Sequence, residues 1–197
     1  MQEEILIKNK KFVLLETKAV HPDHSTYTST WSGRPYLIRT FNDEEHYLRA
    51  MSDYKTLKHA GINMAKVCFH DDEKWVIVFD LFPENDCLKD LSKGPLSLMH
   101  FEALFALYRF ARFSKVALDW EPQNFMLRGS QMFYLPTKWE PLKDENLFEK
   151  SVAYRTWFLG KEGRSLLEKK GFDVSSLPSL SEAEVNKTLT LMAVRYW

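Results

Sequence analysis

The stretch from Val116 to Trp139 constrains this chain more than any other. It sets a carboxylate, Asp119, and a carboxamide, Asn124, on either side of Pro122. Two short apolar runs follow, Phe125-Met-Leu127 and Met132-Phe-Tyr-Leu135, split by Arg128-Gly-Ser-Gln131. Paired runs with a glycine in the connection predict a tight hairpin. A loop that carries two polar groups and is braced by a hairpin behind it is how a rigid scaffold presents chemistry.

The rest of the chain supplies elements in a definite order. Apolar runs at 5–7 and 12–15, the hydroxyl–aromatic alternation from Ser25 to Trp31, and Tyr36-Leu-Ile-Arg-Thr-Phe41 predict an antiparallel sheet. Asn42-Asp-Glu-Glu45 predicts a helix cap with an acidic first turn, and Tyr47, Leu48, Met51, Tyr54 and Leu57 carry the helical spacing on to Ala60-Gly61. Ala65–Phe69 and Trp75–Phe79 flank a polar turn and read as a second hairpin. After a short helix at 88–91, the segment from Ser97 to about Ser114 reads as a long amphipathic helix. Its Phe101, Leu104, Phe105, Tyr108 and Ala111 point inward, while Arg109, Arg112 and Lys115 point outward. Helices are predicted at about 145–159, 161–170 and 181–195, the last opened by the cap Ser181-Glu-Ala-Glu184.

The loop Asp119-x-x-Pro-x-Asn124, followed by an apolar strand, resembles the catalytic loop of the protein-kinase-like superfamily. The resemblance implies an α+β, two-lobed protein-kinase-like fold. Its N-terminal lobe, 1–82, would be an antiparallel β-sheet plus one helix, and its C-terminal lobe, 83–197, small and mainly helical, with a hinge at about 80–86 offering backbone groups to an adenine ring. It implies that Asp119 accepts the proton of an attacking hydroxyl and that Asn124 holds a metal ion. Arg39 would stand where the family has its phosphate-gripping lysine. Asp53 would be the helix carboxylate paired with it, with Glu44 and Glu45 as substitutes. The implied cofactor is ATP with Mg²⁺.

The chain departs from that pattern in ways that decide its chemistry. Ala117-Leu118 replaces the His-Arg before the catalytic Asp, and Pro136-Thr-Lys138 stands where the metal-holding Asp-Phe-Gly belongs. That puts Thr137 at the metal position, and a hydroxyl is a neutral, weak ligand beside a carboxylate. Glu140, three residues on, and Glu121 within the loop are the candidates to replace the charge. The first glycine of the chain is Gly33, so no glycine-rich loop covers a phosphate. The segment 20–25 that replaces it holds His21 and His24 and reads as a solvated turn.

These departures favour a degenerate kinase-like domain, a pseudokinase, acting by protein or nucleotide binding rather than efficient phosphoryl transfer. The first alternative is a compact active kinase or small-molecule phosphotransferase with rearranged metal ligands. The second is an unrelated α+β interaction domain in which the loop pattern arose by chance.

Composition limits the partners. Lys plus Arg equals Asp plus Glu at 27 each, so no overall field favours nucleic acid or an anionic membrane, and neither is expected as a partner, although a local basic patch is compatible with that balance. Cys68 and Cys87 lack metal-ligand spacing and are expected as reduced thiols, which places the chain in the cytoplasm. No run approaches the roughly eighteen apolar residues of a membrane-spanning helix. The protein partner or small-molecule substrate is not identified by these residues.

Overall fold

The computed structural model describes residues 3–81 and 86–196, apart from the side chains of Lys18, Ala19, Ala193 and Tyr196. Residues 82–85, which carry most of the expected hinge, lie outside that description. The chain forms two compact units, one of residues 1–56 with 65–83 and the other of residues 57–64 with 84–197.

The first unit is a six-stranded sheet in the order β1-β2-β3-β4-β6-β5. Its strands are β1 (Glu4–Ile7), β2 (Lys10–Val20), β3 (His24–Trp31), β4 (Arg34–Phe41), β5 (Val67–Asp71) and β6 (Val76–Asp80), each neighbour antiparallel. Two of the hairpins close on two residues with left-handed backbone, Lys8-Asn9 (φ 43° and 64°) and Ser32-Gly33 (φ 50° and 74°). That is the turn geometry that follows the right-handed twist of the flanking strands.

One sheet face buries Ile7, Phe12, Tyr36, Ile38, Val76 and Val78, and the Phe12 ring meets those of Trp31, Tyr36 and Phe69. β1 lies against β5 at the opposite edge, and Lys74 Nζ donates to the Leu6 carbonyl at 2.6 Å. The sheet is therefore curled, which shields edges that would otherwise present unpaired backbone. The other face takes α1 (Glu44–His59), with Phe41, Tyr47, Ile77 and Phe79 buried between them. The helix cap is Asp43, whose carboxylate accepts from the His46 N–H at 2.9 Å. The cap thus comes from within the expected stretch Asn42–Glu45, while Asn42 donates its side-chain amide to the Pro22 carbonyl at 2.6 Å.

The second unit contains α2 (Cys87–Leu91), α3 (Leu98–Phe113), β7 (Val116–Ala117), β8 (Phe125–Arg128), β9 (Gln131–Tyr134), β10 (Glu140–Pro141), α4 (Val152–Arg155), α5 (Lys161–Lys169) and α6 (Glu182–Tyr196). α3 buries Phe101, Leu104, Phe105, Tyr108 and Ala111, the inward stripe its sequence predicts. They pack with Phe125, Tyr134, Phe148 and Trp157 into the main core. Each buried Leu or Phe side chain among them contributes about 1.5–3 kcal/mol.

The helix expected over about 145–159 is not formed. Two 3-10 turns, Asp144–Asn146 and Phe148–Lys150, lead into the four-residue α4. The Asn146 side chain accepts from the Lys143 N–H at 2.7 Å and donates to the Pro141 carbonyl at 3.0 Å, while Ser151 Oγ donates to the Phe148 carbonyl at 2.7 Å. Such local side-chain bonds to backbone compete with a regular helix. The expected cap of α6 is present, with Ser181 N–H donating to Glu184 Oε2 at 2.7 Å and Glu184 N–H to Ser181 Oγ at 3.3 Å.

α5 can pack here only because it carries glycine at its close approach. A Cβ on Gly163 would stand 1.9 Å from the Phe158 carbonyl oxygen, an obstacle made of backbone rather than a side chain that could swing away. Gly163→Ala is therefore expected to destabilise the protein by at least about 1–3 kcal/mol, the usual cost of overpacking. A urea-unfolding midpoint equal to that of the parent protein would refute this.

Candidate functional site

Apolar anchoring on both sides fixes the direction of Asp119. Leu118 and Trp120 are buried while Asp119 between them is exposed. The Trp120 ring stacks on Phe125, centroids 5.4 Å apart and planes 6° from parallel, and its carbonyl accepts from Trp157 Nε1 at 2.7 Å. Pro122 is buried and opens a 3-10 turn that ends at Asn124, whose N–H donates to the Glu121 carbonyl at 2.9 Å. The turn folds Asn124 back, and its side-chain amide donates to the Asp119 carbonyl at 3.1 Å. Asp119 Oδ1 accepts a long bond, 3.4 Å, from the Glu121 N–H.

β8 and β9 pair from Phe125↔Tyr134 to Arg128↔Gln131, closed by Gly129, at φ +59°, and Ser130. From this hairpin the Tyr134 hydroxyl reaches under the loop. It accepts from the Asp119 N–H at 3.3 Å and donates to the Lys138 carbonyl at 3.1 Å. Burial pushes its ionisation above that of an ordinary phenol. The Leu135 N–H then donates to the Asn124 carbonyl at 2.8 Å, so the segment carrying Thr137 leaves directly beside the turn.

Thr137 is buried, and Glu140 is exposed on β10, opposite Ala117 of β7. Glu121 accepts from the side-chain amide of Gln123. The loop thus offers one outward carboxylate, the amide oxygen of Asn124 and the hydroxyl of Thr137. Among the described residues no group of three or more His, Cys, Asp or Glu side chains is placed to hold a metal ion. Magnesium favours carboxylates and phosphate oxygens in octahedral array, and this largely neutral donor set fits it poorly.

Arg39 and Asp53 belong to the first unit, whereas Asp119, Asn124, Thr137 and Glu140 belong to the second. Arg39 pairs with Thr26 and Ile77 across β4, on the sheet face that receives α1. It is not the exposed strand arginine its sequence position permits. Its guanidinium lies 5.5 Å from the centre of the Phe79 ring, and burial lowers its pKa to about 10 against the opposing pull of Asp23. It therefore stays charged at neutral pH. Asp53 is half-buried on α1.

Sequence reasoning missed the surroundings of Arg39. His24, expected in a solvated turn, is buried in a polar row with Thr26 and Thr28, opposite Phe41, Arg39 and Leu37 in register. Its ring stacks on His21 at 4.6 Å, and its Nδ1 lies 3.0 Å from Asp23 Oδ1. The alternation His24-Ser-Thr26-Tyr-Thr28 was the available signal, because it places these three side chains on one strand face.

No family model matches the chain, and no curated protein matches it. Solved structures do. A crystal structure of the BubR1 kinase domain is similar over 69% of this chain and 49% of that one, with a TM-score of 0.51 and 11% sequence identity. The chain thus spans about half the length of that kinase domain. At this identity the likeness concerns the fold alone, and the fold it supports is kinase-like.

Two predictions follow from the geometry. Tyr134→Phe removes the hydroxyl that joins Asp119 to Lys138 and is expected to cost about 1–2 kcal/mol, read as a lowered unfolding midpoint; an unchanged midpoint would show the bridge to be idle. For His24, burial first and Arg39 second lower the pKa below the ordinary 6.5. Over the interval between the two values the unfolded chain binds more protons, so this contribution to stability is complete above 6.5 and lost as pH falls through the folded value. The melting temperature should drop on acidification through that interval, and His24→Gln should flatten the drop. Parallel curves for the two proteins would contradict the assignment.

Proposed function

We propose that this chain is a kinase-like domain that works by binding a protein or a nucleotide rather than by efficient phosphoryl transfer. In this reading it is two-lobed, with lobes at 1–82 and 83–197 and a hinge at about 80–86. Arg39 grips phosphate and pairs with Asp53, and Asp119 and Asn124 form the remnant of a catalytic loop.

One observation carries the proposal: the residue where a metal carboxylate belongs is Thr137, a buried neutral hydroxyl. Electrostatic stabilisation of the transferring group is usually the largest catalytic contribution, so its loss removes orders of magnitude in rate. The loop also satisfies itself, since the Asn124 amide is turned onto the Asp119 carbonyl. A second reading, a compact active phosphotransferase with rearranged ligands, draws on Glu140, whose strand pairs with the one leading into the loop.

Thermal-shift titration with ATP, with and without magnesium, separates the two when coupled to a phosphate-release assay. Binding without turnover is expected to give any ATP stabilisation independently of magnesium, with no phosphate release from the parent protein or from Asp119→Ala. Magnesium-dependent stabilisation, with turnover abolished by Asp119→Ala and reduced by Glu140→Gln, would overturn the proposal in favour of the second reading.

A further inference from the structure

The outer face of α3 ends in a feature that neither the core nor the loop uses. Phe113 is 88% exposed and Phe110 56%. They stand three residues apart, continuing a stripe from Ala106, so both rings lie on one helix face. The Phe110 ring lies beside Gly61, its Cδ1 3.3 Å from where a Cβ on that glycine would be. Ser114 Oγ ties the same end of α3 to the Ala60 carbonyl at 3.2 Å. The left-handed turn at Gly61, φ +76°, thereby brings the last residues of α1, Lys58 and His59, to this end of α3.

The charge around the two rings has one sign. Lys58, His59, Arg109 and Lys115 are exposed, and among the described residues Lys58, Arg109 and Lys115 form no ion pair. Arg112 differs, reaching Glu149 at 3.6 Å. The segments that build the patch, 57–61 and 106–115, contain no Asp or Glu. In a chain of zero net charge this is a local concentration of cations around exposed aromatic surface.

We infer that the Phe110–Phe113 face of α3, with Lys58, Arg109 and Lys115, is a docking site for an acidic amphipathic peptide segment of a partner protein. Such a segment lays apolar side chains along the stripe and sets carboxylates against the cations. A nucleic acid is the weaker match. Tight binding of a phosphate backbone comes from about 6–10 cation contacts, and this patch offers three lasting cations and a histidine. A second copy of the chain would bring the same positive charge and repel it. The inference does not depend on whether the loop binds a nucleotide.

The test is fluorescence anisotropy with a labelled helical peptide of Leu, Ala and Glu carrying net negative charge. A control peptide has Gln for every Glu, and a labelled oligouridylate provides a second control. The acidic peptide is expected to bind and the Gln peptide not to. Phe113→Ser and Arg109→Glu should each weaken binding roughly tenfold or more. Both positions are exposed, so their melting temperatures should match the parent's, and Phe113→Leu should retain much of the affinity. Absence of peptide binding, binding by either variant as tight as the parent's, or preference for the oligouridylate would overturn the inference. So would self-association by light scattering that Phe113→Ser abolishes. The ATP titration is read separately, so failure of either proposal leaves the other standing.

Discussion

The Tyr134 hydroxyl is the small interaction on which the loop geometry rests. It sits beneath the backbone at Asp119 and takes one bond from each side of the loop, accepting from Asp119 and donating to Lys138. The ring that carries it is fully buried against Phe125, which stacks on Trp120, whose carbonyl is held by Trp157. The path from core to loop is thus aromatic packing ending in hydrogen bonds to backbone. Rings lose little rotational freedom on burial and bury much area, so a turn mounted on them is held without help from an ion.

That independence bears on function. Where several carboxylates converge, their mutual repulsion must be offset by a cation, and the protein is strained when the cation leaves. Here the carboxylates do not converge: Asp119 points outward, Glu121 is engaged by Gln123, and the remaining donors near the turn are an amide and a hydroxyl. Among the described residues no cluster of three or more such side chains converges. The first unit holds the opposite kind of charge, a half-buried guanidinium over Phe79 with His24 beside it. Placing a cation there costs desolvation energy that ring contact and the field of Asp23 only partly offset.

Much of this was legible in the sequence where a short-range rule applied. The β8–β9 hairpin follows from its apolar runs and Gly129, the inward stripe of α3 from its spacing, and the α6 cap from Ser181 and Glu184. The turn at Pro122 was legible in the same way, so Asp119 and Asn124 could be placed on one loop. The failures have a common physical origin in side chains that chose a partner over a propensity. Asn146 and Ser151 bonded nearby backbone and broke a helix that composition allowed. The alternation through His24, Thr26 and Thr28 shows that they share a strand face but not that the face is covered, because polar residues in a strand read as its solvated side. Only the register β3 shares with β4 sets His24 opposite Phe41 and Arg39 opposite Thr26. The bridge made by Tyr134 was hidden too, since a buried tyrosine in a strand looks like core until its hydroxyl has a destination.

α3 joins these threads because its two faces answer to different demands. Its inner face supplies Leu104, Phe105, Tyr108 and Ala111 to the core that carries the loop, so apolar residues there are required by folding alone. Phe110 and Phe113 make no comparable contribution, and folding would favour polar residues at two exposed helix positions so near Arg109 and Arg112. A partner that covers them would stabilise the folded chain in proportion to the logarithm of its concentration over its dissociation constant. The exposed rings and the core beneath the loop are thus opposite faces of one helix.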